Sequence, residues 1–179
     1  MDFKGSQTEK NLLEAFQGES MARNKYTFYA SKARKDGYEY IARIFEETAN
    51  NEKEHAKIWF KYLHNGDIGD TATILEDSAK SEYYEWTTMY KNFAKIAKEE
   101  GFNDIATHFE RVLTVEKFHN ERYDKLLERV KQKEMFKSPT PILWECGNCG
   151  YHVISENAPE ICPLCEHPKS YFFKKADTL

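Results

Sequence analysis

Four glutamates and two histidines stand out by type and spacing. Glu19 and Glu82 stand alone, Glu52 has His55 three residues later in "NEKEH", and Glu116 has His119 three residues later in "VEKFH". Carboxylate oxygens with imidazole nitrogens suit iron or manganese better than a thiolate-seeking metal. A single E-x-x-H pair is a weak signal, because glutamate is abundant in this chain and chance produces such pairs. The order carries the weight: Glu52 lies 33 residues after Glu19 and Glu116 lies 34 after Glu82, so the first 135 residues read as two similar halves. Tyr26, seven after Glu19, is echoed by Tyr90, eight after Glu82. Glu85 breaks the repeat, since the first half has Ala22 at the matching place, and it offers one ion an extra carboxylate. Five carboxylates around two ferrous or two ferric ions stay near neutrality in both redox states.

A second cluster lies at the other end. Cys146, Cys149, Cys162 and Cys165 form two C-x-x-C pairs with twelve residues between them, a strong signal for one tetrahedral four-sulfur site. No cysteine is left for disulfides, and both iron and zinc fit. A one-electron iron centre beside a di-iron site favours iron, because it would supply the second site with electrons. His152 and His167 read as surface residues, the four sulfurs already filling the shell. Trp144, Tyr151, Tyr171, Phe172 and Phe173 are the expected core of a module small enough to need a metal staple.

These residues must be positioned by helices. Apolar spacing of three and four predicts helices over 6–36, 38–64, 77–100 and 103–135, with Gly37, Gly66 and Gly101 after the first, second and third. Ser6 with Glu9 resembles a capping box, and Asn103 is a candidate cap for the fourth helix. The seams read Leu12, Phe16, Glu19, Arg23, Tyr26, Ala30; then Ile41, Thr48, Glu52, His55, Trp59, Tyr62. The third reads Ala79, Glu82, Trp86, Met89, Phe93, Ile96, and the fourth Ile105, Phe109, Val112, Glu116, His119, Tyr123, Leu126, Val130. Each seam carries a glutamate, and converging buried carboxylates repel unless cations lie between them. A Glu on each of two helices and a Glu-x-x-His on each of the other two is the ligand set of a di-metal four-helix bundle. Residues 65–76 read as a connection longer than the other joints. Beyond it, "SPTP" ends the helical part and opens an extended module, so domains are expected over 1–137 and 138–179.

Composition excludes other classes. The chain has 179 residues, 31% of them charged, with a net charge of -4, which lacks the basic footprint of a nucleic-acid binder. It has neither a leader pattern nor an apolar run long enough to span a membrane, and a cytoplasmic location is expected.

"FQGESMARNKY", "NEKEH", "SEYYEW" and "VEKFH", followed by "CGNCGY" and "CPLC", resemble the rubrerythrin family over almost the whole chain. The resemblance implies an all-α ferritin-like four-helix bundle followed by a small β-rich rubredoxin-like domain. It implies reduction of hydrogen peroxide to water at a di-iron site, with electrons from the four-cysteine iron and ultimately from an external rubredoxin or NAD(P)H-dependent reductase. By the same resemblance Glu52 and Glu116 bridge the irons, Glu19 is a terminal ligand of one, and Glu82 with His119 are terminal ligands of the other. Glu85 and His55 exchange as ligands between oxidation states, and Tyr26 and Tyr90 are candidate hydrogen-bond or proton donors. A head-to-tail homodimer is implied. Two departures stand in the cysteine knuckles, where the family pattern is CPxCG: Gly147 replaces the proline of the first, and Glu166 the glycine of the second. The competing expectations are a ferritin-like ferroxidase and a non-enzymatic helical scaffold with a zinc ribbon.

Overall fold

The computed structural model describes residues 2–175, so the extreme ends of the two expected domains, residue 1 and residues 176–179, lie outside the description. The chain divides into two compact units, one up to Gly69 and one from Asp70 onward.

The first unit is a helix pair. Helix α1 spans Gln7–Lys35 and α2 spans Glu39–Leu63. Ser6 caps α1 by accepting the Glu9 N–H at 3.1 Å, while the Glu9 carboxylate accepts from Gly5. At the turn Gly37 takes φ +86°, and the Tyr38 N–H closes onto the Ala33 carbonyl at 2.9 Å, a left-handed cap that a side chain would resist. The fully buried contact is alanine: Ala30 and Ala33 on α1, and Ala42, Ala49 and Ala56 at seven-residue intervals on α2. Small side chains let the two backbones approach closely. The expected seam lies beside this stripe, with Phe16, Glu19, Tyr26, Thr48, Glu52 and Trp59 half-buried, and Arg23, Ile41, His55 and Tyr62 exposed.

The second unit repeats the plan with a difference. Helix α3 (Thr71–Tyr84) runs through a π-turn (Glu85–Met89) into α4 (Tyr90–Glu99), and this line packs along α5 (Asn103–Lys131). Asp70 caps α3 by accepting the Thr73 N–H at 2.8 Å, so the third helix starts six residues before the expected 77 and the joint shrinks to 64–70. The β-branched run "TATI" reads poorly as helix by propensity, and the cap overrides it. Helix α5 begins at Asn103, whose side chain makes no cap bond. It ends at Lys131, before the expected 135, because Lys133 turns left-handed at φ +58°.

The π-turn explains the irregular repeat. Glu82 lies 63 residues after Glu19, whereas Ala94, Ala97 and Gly101 lie 64 after Ala30, Ala33 and Gly37. The one extra residue is absorbed between Glu85 and Met89, where the Tyr90 N–H bonds back five residues to the Glu85 carbonyl. Such single-turn insertions concentrate at functional sites.

After α5 a three-stranded antiparallel sheet has the order β2-β1-β3, with β1 Lys137–Cys146, β2 His152–Asn157 and β3 Phe172–Lys174. The pairing of β1 with β2 is irregular between Lys137 and Ile142, where Pro139 and Pro141 supply no N–H. Trp144, Cys146, Ala158, Cys162 and Phe172 form its core, and the Trp144 indole N–H donates to the Ser155 carbonyl at 3.0 Å. Tyr151 packs against this core, but Tyr171 and Phe173, expected inside, are exposed. Among the described residues no helix is long and apolar enough to cross a membrane.

Candidate metal centres

In the first unit α1 brings Glu19, and α2 brings Glu52 and His55, so that one ligand atom from each lies within 4.8 Å of the others. His55 Nδ1 is 2.9 Å from Glu52 Oε2 and 3.9 Å from Glu19 Oε1. The three-residue spacing on α2 places Glu52 and His55 on one face of the helix. Burial first, and the neighbouring Glu52 carboxylate second, push the Glu19 carboxyl above its ordinary value. The Trp59 indole N–H, buried without a hydrogen-bond partner, lies toward Glu19 and favours its charged form.

The second unit holds the same arrangement. Glu82 from α3 meets Glu116 and His119 from α5, again within 4.8 Å. His119 Nδ1 is 2.7 Å from Glu116 Oε2 and 3.7 Å from Glu82 Oε2. Burial and then Glu116 raise Glu82. Glu85, the first residue of the π-turn, is not in this tight trio, but burial and the charge of Glu116 raise it too. Tyr90 is raised by burial and by the charges of Glu85, Glu116 and Glu82, so it keeps its proton. Its ring lies 6.0 Å from Phe109, as Tyr26 lies 6.0 Å from Phe45, 64 residues earlier in each case.

Carboxyls held above 4.5 in the fold bind more protons folded than unfolded, so they stabilise the metal-free protein at acid pH and lose that contribution as pH rises. Glu39, Glu54, Glu76 and Asp70, held low by Arg34, by Lys53, by Lys80 and by the Thr73 N–H, act in the opposite sense while their unfolded counterparts ionise, so the contribution of Glu82 is read as a difference between two proteins. The melting temperature of the metal-free wild type, taken relative to that of Glu82→Gln, is expected to fall as pH rises from acid toward neutrality. A relative melting temperature that climbs would contradict the assignment.

In the second unit the four sulfurs converge, Cys146 with Cys165 and Cys149 with Cys162 each at 3.7 Å. A tetrahedral metal bound at about 2.3 Å needs sulfurs about 3.8 Å apart, so the donor set fits one ion. The two knuckles are built alike. Gly150 and Glu166 N–H groups return to the Cys146 and Cys162 carbonyls, both at 2.9 Å, and the Cys146 and Cys162 N–H groups reach the Tyr151 and His167 carbonyls, both at 2.8 Å. The His167 backbone N–H, with lesser help from the neighbouring thiols, holds the Cys165 thiol down to about 6, while burial and the surrounding thiols push the Cys149 thiol up to about 12, so the two sulfurs differ in their readiness to shed a proton. His152 is exposed, while His167, expected at the surface, is half-buried with its ring 4.4 Å from Tyr171.

The two departures from the knuckle pattern have opposite structural consequences. Gly147 donates to the Tyr171 carbonyl at 2.8 Å, a bond proline lacks, and a Cβ there would meet the Phe173 ring at 3.0 Å. Glu166 stands at the position of Gly150 and shares its left-handed backbone, with φ +60° against +75°. Left-handed backbone costs a residue with a Cβ about 1–2 kcal/mol. Glu166→Gly is expected to stabilise the module by about 1 kcal/mol, read as later thermal bleaching of its iron–thiolate absorbance. Bleaching at an unchanged or lower temperature would show that the turn carries no strain.

One residue went unassigned in the sequence. Asn120 is the one buried polar side chain among the described residues, and Trp86, read there only as a seam residue, donates its indole N–H to it at 3.1 Å. The available signal was the repeat itself, which places Asn120 opposite Ala56.

The rubrerythrin family matches residues 10–127, and the rubredoxin-like domain of rubrerythrin matches residues 144–173. Rubrerythrin of Porphyromonas gingivalis is 48% identical, covering 94% of this chain and 90% of its own length. Rubrerythrin of Nitratidesulfovibrio vulgaris is 44% identical over 94% of both chains, and nigerythrin of that organism is 35% identical over 92% and 85%. The family carries a di-iron site and a four-cysteine iron site, and the carboxylate–histidine trios and the sulfur cluster have the donors for both. The chain, an iron-based oxidoreductase with a rubredoxin-like module that implies electron-transfer partners, belongs to the rubrerythrin family.

Proposed function

We propose that the protein is a peroxidase that reduces hydrogen peroxide to two waters, consuming two electrons and two protons per turnover. The observation that carries this reading is the pairing, in one chain, of two alike carboxylate–histidine trios with a four-sulfur cluster. Iron held by the two trios would supply the electrons for O–O cleavage, and iron held by Cys146, Cys149, Cys162 and Cys165 would supply the chemistry to restore them. By family resemblance Glu52 and Glu116 would be the ligands shared by the two irons, Glu19 would hold one, Glu82 and His119 would hold the other, and Glu85 and His55 would be the ligands that depend on oxidation state. Tyr90, protonated beside three carboxylates, donates a hydrogen bond or proton to the departing oxygen, and Tyr26 does the same from the other half. The bundle domain is residues 1–137 and the electron-supplying domain residues 138–179. The working unit is a cytoplasmic head-to-tail homodimer, fed by an external rubredoxin or NAD(P)H-dependent reductase.

The test is anaerobic stopped-flow mixing of the reduced, iron-loaded protein with one equivalent of hydrogen peroxide, following diferric and iron–thiolate absorbance separately. Rapid di-iron oxidation followed by electron loss from the cysteine iron is expected. Faster reaction with dioxygen than with peroxide would replace this reading with a ferroxidase.

A further inference from the structure

Three differences between the second helix pair and the first meet beside Glu82: a π-turn, a carboxylate at 85 in place of Ala22, and Asn120 in place of Ala56. Asn120 joins all three. Its Oδ1 accepts the Trp86 indole N–H from inside the π-turn at 3.1 Å, and its Nδ2 donates at 3.0 Å to the Ala79 carbonyl and to Asp124 Oδ2. Ala79 and Trp86 flank the segment that carries Glu82 and Glu85. One side chain on α5 thus holds that segment from both ends.

The orientation of the amide is fixed by chemistry. An indole N–H only donates and a backbone carbonyl only accepts, so the Asn120 oxygen must face Trp86 and its nitrogen must face Ala79. Asparagine offers the two on separate atoms, whereas a hydroxyl offers both from a single oxygen. A polar side chain with about 6% exposure is costly to bury unless its bonds are made, and here the donor and the acceptor are both used. Ala56 makes no such bridge in the first pair, where the helix runs without a π-turn past Glu19.

We propose that Asn120 is a positioning residue that pins the π-turn through Trp86 and thereby sets Glu85 as the extra carboxylate of one iron. It acts through Glu85 and touches no reacting atom. This inference rests on the di-iron reading above.

The experiment uses the full chain with its four-cysteine site filled and its carboxylate sites stripped, titrated anaerobically with ferrous iron. Wild type is expected to bind two ions. Asn120→Leu and Trp86→Phe are each expected to weaken one of the two about tenfold and to leave the other unchanged, the usual scale for loss of a group that orients a ligand. On a Glu85→Gln background Asn120→Leu is expected to add nothing. Backbone amide exchange at Tyr90, whose N–H closes the π-turn, is expected to accelerate in metal-free Asn120→Leu. If Asn120→Leu does not fold, Trp86→Phe, which removes the indole donor and leaves a smaller aromatic ring, carries the same test. A lower melting temperature with both affinities intact would overturn the proposal, leaving Asn120 a structural anchor. An additive loss on the Glu85→Gln background would overturn it as well. If wild type takes up no ferrous iron beyond the cysteine site, the di-iron reading fails and takes this inference with it; if wild type binds two and Asn120→Leu binds them equally well, only this inference fails.

Discussion

Glu52→Ala is expected to slow peroxide-driven oxidation of the reduced protein about a thousandfold, leaving the iron–thiolate absorbance of the cysteine site intact. Glu52 is half-buried, 2.9 Å from His55, and the reading above makes it a bridge. Losing a bridge removes a ligand from both irons, and metals contribute several kcal/mol of charge stabilisation in such reactions. Each 1.4 kcal/mol lost is about tenfold in rate, so three decades follow from a loss of about 4 kcal/mol. Glu54→Ala is the matched control. Glu54 lies two residues away but is exposed and paired with Lys53 and Lys57, so its removal is expected to change nothing. Equal rates for the two variants would remove Glu52 from the site.

Cys162→Ser is expected to separate the first turnover from those that follow. Cys162 is fully buried and its sulfur is 3.7 Å from Cys149, so the variant loses one of four ligands from inside the core of the module. Trp144, Cys146, Ala158 and Phe172 pack around it, too few large side chains to hold three short strands without the metal. The iron–thiolate colour and the near-ultraviolet signal of Trp144 are expected to disappear together. Oxidation of the di-iron pair by one equivalent of peroxide should proceed at the wild-type rate. Steady-state peroxide consumption should fall by about a hundredfold, because delivery from a tethered donor is replaced by collision with an external one. Unchanged steady-state turnover would mean that electrons enter by another route.

The donor residues that the fold brings together were legible because chemistry restricts them. Glutamate and histidine at three-residue spacing, repeated in order, leave few alternatives once each falls on a helical seam. Four cysteines in two C-x-x-C pairs leave fewer still. Helix ends were less legible, since the Asp70 cap that starts α3 lies in a glycine-containing stretch that reads as loop, and the left-handed Lys133 that follows α5 carries no side-chain signal. The burial pattern was only partly legible. A periodicity argument favours large apolar residues as the contact, whereas each pair closes on alanines and leaves residues such as Ile41 and Ile105 exposed. The mismatch between seven residues from Glu19 to Tyr26 and eight from Glu82 to Tyr90 was visible as a number, but its cause was not. A π-turn has no residue signature, because it is a change of hydrogen-bond register and not of side chain.

That register change has a practical consequence for anyone redesigning the molecule. Removing one residue between Glu85 and Met89 would return α3 and α4 to a single uninterrupted α-helix and bring the second half into the 63-residue phase of the first. The carboxylate at 85 and the amide at 120 would still set the second half apart, since the first half has Ala22 and Ala56 at the matching places. In the natural chain one extra amino acid adds a difference of backbone to those differences of side chain.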